Sequence, residues 1–391
     1  MFKKFFLLLS YSTLFQLSNN IGVWIILIFI IKNHGIDSLY FFLIISAINQ
    51  IINIVSSFGL QEYIFLKTSR LKEKFLPQLR SIYSIGIITS FLIYILICIF
   101  LYFKDINLLN VFILLGINSI FLNFNIINNY LIALKKIKRI TILRYSLLLF
   151  LICVLYFKNE LTLQDIYIFY TFYTFIIFLT YNFIFIKKYN LDFNFLKKII
   201  IKNFYVLLSN FITIFRGRAS VLILDIFLSK TGLSTYGLIT RIIEAVNLIF
   251  NYAVRIITYD IISKKSFLKT ILQGKHKSLI YFFVIVILSY VILNLSFDYG
   301  NISSVTNYSV LIFLCIYLSY LKIQEHLFKN NFINKDNQNI FFKSTIVSSI
   351  LSVIIFSILT HYLNLKGALI GYIISAHFVF YINSLFYREY L

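Results

Sequence analysis

Apolar runs of about twenty residues recur along the whole chain, separated by short stretches that carry lysine, glycine, asparagine or serine. A helix needs roughly twenty residues to cross the hydrocarbon core of a bilayer, and these runs have that length. The pattern predicts twelve helical spans at 5–31, 39–61, 81–103, 106–134, 142–157, 166–186, 203–229, 234–262, 279–297, 308–328, 340–360 and 367–387. The runs are too long for barrel strands, and strict in–out alternation does not appear in them. The predicted fold class is an all-α polytopic membrane protein.

Composition agrees. The chain has 391 residues, 60% of them hydrophobic and 13% charged, with a mean hydropathy of +0.89. Soluble domains carry about a quarter charged residues. A net charge of +22 would suit a nucleic-acid binder, but the position of the lysines excludes that reading. With the N-terminus inside, 27 of the 36 basic residues fall in the segments facing the cytoplasm, Arg80 and Arg144 among them, and only Lys32, Lys104, Lys158, Lys230 and Lys366 fall outside. A missed or invented span would scramble that contrast, so twelve spans with both termini cytoplasmic satisfy the positive-inside bias. The opening Met1-Phe-Lys-Lys followed by Phe5 to Phe15 lacks a small-residue cleavage pattern, so the first helix is expected to be retained.

Chemistry-bearing clusters are scarce. Cys98, Cys153 and Cys315 stand alone in apolar runs, and the five histidines are scattered. No metal spacing or nucleophile constellation results, so neither a cofactor nor an enzymatic activity is expected. The outer loops are short, which places function inside the membrane.

What stands out there is charge. Arg216, Arg218 and Asp225 lie in the seventh span, and Arg241, Glu244 and Arg255 in the eighth. Charges inside spans usually line a pathway or a cavity. Arg216 and Arg218 differ by about 200° around a helix and cannot share a face. Arg218 and Asp225 do share one, and an ion pair between Asp225 and Arg241 is expected at similar depth. The four arginines outnumber the two acids by two, so a cavity they line carries positive charge and suits phosphate or carboxylate. Asn19, Asn20, Asn49 and Asn53 add polar patches in the first two spans, either for sugar contact or as hydrogen-bond glue between helices. Asn123, Asn125, Asn128 and Asn129, near the inner end of the fourth span, are expected at the interface.

Placing Gly35 on Gly232 aligns Ile31–Tyr40 with Ser229–Tyr236 and suggests two six-helix halves, 1–190 and 191–391, related by an axis along the membrane normal. In that register Asn19 stands opposite Arg216.

Three stretches carry a family likeness. They are Lys32-Asn-His-Gly35 to Tyr40 with Phe58-Gly59-Leu60-Gln61-Glu62, Asp225 through Thr231-Gly232-Leu233 to Glu244, and Lys366-Gly-Ala-Leu-Ile-Gly371. With them the chain resembles the polysaccharide (O-antigen and repeat-unit) flippases of the multidrug/oligosaccharidyl-lipid/polysaccharide exporter superfamily. It departs from that pattern where members commonly carry a proline near the inner end of the eighth span; here Thr258-Tyr259-Asp260 stands there, and the single proline is Pro77. The resemblance implies two six-helix lobes around a central cavity opening alternately to each side. It implies an undecaprenyl-pyrophosphate-linked oligosaccharide as cargo, moved across the cytoplasmic membrane without covalent chemistry. Arg216, Arg218, Arg241, Arg255, Asn19, Asn20, Asn49 and Asn53 are then the candidate cargo contacts, and Asp225 and Glu244 the candidates for ion pairing or coupling. A glycan polymerase or glycosyltransferase is an expected partner of a monomeric flippase. The alternatives are a multidrug exporter of the same superfamily, for which surplus carboxylates would suit cationic drugs better, and a membrane polysaccharide polymerase or glycosyltransferase.

Overall fold

The computed structural model describes residues 22–104, 106–134, 136–157, 161–186, 189–241, 243 and 338–389. Much of the eighth predicted span and the whole of the ninth and tenth lie outside these residues, as do Asn19, Asn20, Glu244 and Arg255.

Among the described residues all regular structure is helical. The helices are α1 (Gly22–His34), α2 (Leu39–Ser56), α3 (Gln61–Leu71), α4 (Leu76–Lys104), α5 (Ile106–Gly116), α6 (Asn118–Phe121) and α7 (Phe124–Ala133). They continue with α8 (Lys138–Phe157), α9 (Leu163–Tyr181), α10 (Phe193–Lys202) and α11 (Phe204–Phe227). Next come α12 (230–241) and α13 (Gln338–Glu389). Seven helical stretches among the described residues are long and apolar enough to cross a membrane. One of these is α13, where Asn364 breaks the helix with φ 51. It therefore supplies the eleventh and twelfth spans back to back. Gly367 closes that turn, because a Cβ there would land on the Leu359 carbonyl.

Helical spacing separates two kinds of face. In α4, Leu79, Tyr83, Gly86 and Ser90 are buried, while Leu92, Leu96, Phe100 and Phe103 are exposed, Phe103 by 82%. Large apolar side chains at spacings of three and four that no protein covers are what acyl chains cover in a bilayer. Gly86 lets α4 cross α2 closely, since a Cβ there would stand 3.0 Å from the Ser56 carbonyl.

The second span is shorter than its apolar run predicts. Helix α2 ends at Ser56, and Phe58 and Gly59 both take positive φ, 52° and 59°. The Gly59 amide donates to Ile54 O at 3.2 Å and the Phe58 amide to Val55 O at 3.1 Å. These bonds form the Schellman arrangement that satisfies terminal carbonyls. Helix α3 then starts in a new direction and packs on α7.

By its contacts the chain divides into two compact units. One is Ser18–Leu222; the other comprises Met1–Leu17 and Ile223–Leu391. The first contains residues 204–222 of α11, which are fastened to the α2–α3 break by Asn210, whose Nδ2 donates to Gly59 O at 2.9 Å. The boundary thus falls within α11.

Gly59→Ala would force a Cβ into the left-handed region, 3.2 Å from the Leu207 carbonyl. It is expected to lower stability by about 1–3 kcal/mol. Gly217 has nothing within 4 Å of an added Cβ, so Gly217→Ala should be neutral or stabilising by up to about 1 kcal/mol. Thermal unfolding of the two variants in detergent checks the contrast.

Candidate functional site

The polar residues of the first unit gather on the inner faces of its helices. Helix α8 shows why. Arg144, Leu148, Leu151 and Leu155 follow spacings of four, three and four, and all are buried; Ile142, Leu149, Phe150, Tyr156 and Phe157 on the other side are exposed. One face of the helix therefore meets lipid, and Arg144 lies on the other.

Arg144 is 0% exposed. Its Nη2 donates to Tyr181 Oη at 2.7 Å and to Asn128 Oδ1 at 3.1 Å. The Tyr181 hydroxyl in turn donates to Asn128 Oδ1 at 2.6 Å, and Asn128 Nδ2 donates to Asn125 Oδ1 at 2.8 Å. The guanidinium carbon stands 5.1 Å from the Phe124 ring centre and 5.3 Å from that of Tyr181. Helices α7, α8 and α9 each supply part of this cluster. An arginine at mid-bilayer costs roughly 2.5–3.5 kcal/mol on insertion scales. Hydrogen bonds to a charged group contribute about 1.5–3 kcal/mol each, and a desolvated cation–π contact about 2 kcal/mol. Those magnitudes offset the cost, which is why the cation can sit inside the bundle.

Two further polar tiers lie along the fourth span. Asn123 Nδ2 donates to Ser90 Oγ at 2.6 Å, and Ser56 Oγ donates to Asn123 Oδ1 at 3.2 Å, which ties α4 and α2 to the α6–α7 junction. Asn118 Nδ2 donates to Thr171 Oγ1 at 3.1 Å, the Thr174 hydroxyl donates to Asn118 Oδ1, and Thr171 Oγ1 donates to Leu114 O at 2.8 Å. Asn123 and Asn128, expected at the interface, face other helices. Both are buried, because a span with this many amides can only turn them toward other helices. Arg144, counted with the basic residues of the cytoplasmic segments, likewise lies within α8 and is turned toward α7 and α9. The signal that could have found it is its register with the leucines of α8.

The predicted site residues fall as follows. Asn49 is buried, and its Nδ2 donates to Leu115 O at 2.8 Å; it joins α2 to α5. Asn53 is buried one turn further on, and its carbonyl accepts from Ser56 Oγ and from the Ser57 amide. Asn49 Oδ1 and Asn53 Nδ2 are buried with no hydrogen-bond partner, as are the hydroxyls of Ser119, Tyr167 and Tyr173. Native interiors hold few such atoms, and each costs about 1–3 kcal/mol. Arg216 and Arg218 are half-buried on α11, with Arg216 Nη1 shut from solvent. Arg241 is half-buried on α12, and Asp225 is exposed near the end of α11. Asp225 and Arg241 do not form the expected pair. Among the described residues the ion pair present joins Lys136 to Glu73, where the lysine beside it holds the Glu73 carboxyl below the usual range. No group of three or more metal-binding side chains occurs among the described residues.

No protein-family model and no curated protein matches the sequence. Solved structures do match its fold. The chain aligns over 98% of its length with a MATE protein in complex with MaL6, at a TM-score of 0.67 and 13% identity, covering 94% of that protein. It aligns over 99% with the MATE multidrug transporter DinF-BH, at 0.67 and 15%, covering 95%. It aligns over 98% with an outward-facing multidrug resistance MATE family transporter of the MOP superfamily, at 0.64 and 14%, covering 94%. The fold is therefore the all-helical MATE fold, which twelve helices in two lobes fit.

Asn128→Leu removes the acceptor shared by Arg144 and Tyr181, and with it one charge-assisted and one neutral hydrogen bond, a loss of about 2–4 kcal/mol. Arg144→Met strands only neutral groups, at about 1–3 kcal/mol. The first substitution should lower the midpoint of thermal unfolding more than the second.

Proposed function

We propose that this chain is an integral membrane exporter that works by alternating access, with both termini on the cytoplasmic side of a bacterial cytoplasmic membrane. The observation that carries the reading is the MATE fold over nearly the whole chain, found in proteins described as multidrug transporters. Two six-helix lobes rocking about a central path move cargo without making or breaking a covalent bond. No enzymatic step enters the reading, and the lysines gathered in the segments on one side support the orientation.

For the cargo, the neighbours favour a multidrug exporter, since that is how they are described. A second reading rests on charge: Arg216, Arg218 and Arg241 lie in helices that carry Asp225 as their one described acid. A guanidinium pairs bidentately with phosphate or carboxylate, so the seventh and eighth spans suit an undecaprenyl-pyrophosphate-linked oligosaccharide. In that reading the arginines, with Arg255 and Asn19, Asn20, Asn49 and Asn53, hold headgroup and sugars while the polyprenyl tail stays in lipid. Asp225 or Glu244 couples the cycle to an ion gradient. A glycosyltransferase or polymerase supplies or consumes the glycan, and the flippase acts as a monomer.

Proteoliposomes separate the two. The flippase reading predicts translocation of the lipid-linked oligosaccharide, abolished in R216A/R218A at equal protein level, with an organic cation dye not carried. Dye transport that survives in R216A/R218A, with no glycan moved, assigns the multidrug function. Movement of neither cargo contradicts the exporter reading.

A further inference from the structure

Helix α10 is a short helix between the sixth and seventh spans, and its attachment is fixed at both ends. The Asp192 carboxylate caps its start, accepting from the Phe195 amide at 2.9 Å. The Asp192 amide donates to Ser81 Oγ at 3.0 Å, Ser81 Oγ donates back to Asp192 O at 3.2 Å, and the Asn190 amide donates to Ser84 Oγ at 3.3 Å. Its start is thereby fastened to the beginning of α4. At the other end Asn203 closes it, its amide and its Nδ2 both donating to Ile199 O. Leu196 and Ile199 form the buried face.

The outer face is composed differently from an ordinary solvated one. At spacings of four, Phe193, Lys197 and Ile201 form one row and Asn194, Lys198 and Lys202 a second, and all six are exposed. Phe193 is 60% and Ile201 67% exposed, and Leu191 and Phe204, just beyond the two ends, are each 51% exposed. Large apolar side chains interleaved with lysines, on a helix held where α4 and α11 begin, suit the boundary between headgroups and acyl chains. There the apolar groups sink and the ammonium groups reach the phosphates.

We propose that the outer face of α10 is a binding surface for anionic phospholipid, with Lys197, Lys198 and Lys202 holding headgroup phosphates while Phe193 and Ile201 enter the bilayer. Helix α10 joins the sixth span to the seventh, so lipid bound here anchors that link to the membrane plane. The surface is independent of the cargo and of Arg216 and Arg218.

The test uses the full chain in nanodiscs. Trp24 is the single tryptophan, so W24F/F193W reports on α10 alone. Lipids brominated on their acyl chains should quench the introduced indole, and brominated phosphatidylglycerol should do so several-fold more effectively than brominated phosphatidylcholine at equal fraction. Each lysine near an anionic surface is worth about a five-fold enrichment. Adding K197Q/K198Q/K202Q should remove the preference while quenching by phosphatidylcholine persists. The exposed pair changed in K72Q/K74Q should leave it intact. An indole unquenched by either lipid and open to aqueous iodide overturns the proposal, as does equal quenching by the two lipids before the lysines are changed.

Discussion

A bilayer core offers no hydrogen bonds, so every polar group carried into it has to find its partner within the protein. That constraint organises this chain. It makes the spans helical, it turns the amides of the fourth span toward α2, α4 and α9, and it puts Arg144 between Phe124 and Tyr181 instead of among acyl chains. The apolar faces need no partner from the protein and are left for lipid, as the exposed leucines and phenylalanines of α4 and α8 are. The same rule accounts for the deviations from regular helix. The carbonyls freed where α2 ends are taken up by the Phe58 and Gly59 amides and by Asn210.

The buried atoms that remain without hydrogen bonds matter for the same reason. Asn49 Oδ1, Asn53 Nδ2 and the hydroxyls of Ser119, Tyr167 and Tyr173 are costs left standing in the first unit.

Among the described residues most of the helical order was legible because run length alone reports a span. The parts that were not legible share a cause. A ten-residue helix with three lysines, α10, reads as a loop, since its apolar positions become a face only when the buried Leu196 and Ile199 are known. The end of α2 at Ser56 is hidden because Phe58 is apolar and continues the hydropathy of the run. Arg144 follows four basic residues within ten positions, so proximity groups it with the cytoplasmic basic residues, whereas its register with Leu148, Leu151 and Leu155 marks it as internal. The pairing expected between Asp225 and Arg241 rests on depth alone, and equal depth on two helices does not require that the side chains face each other.

Lipid and oxygen accessibility along α8 tests the central claim, that the charged face of a span is its protein-facing face. Nitroxide labels placed one at a time at positions 142, 148, 149, 150, 151, 155 and 156 should collide freely with oxygen at 142, 149, 150 and 156 and poorly at 148, 151 and 155. Oxygen accessibility peaking at 148, 151 and 155 would place Arg144 against acyl chains and contradict the account.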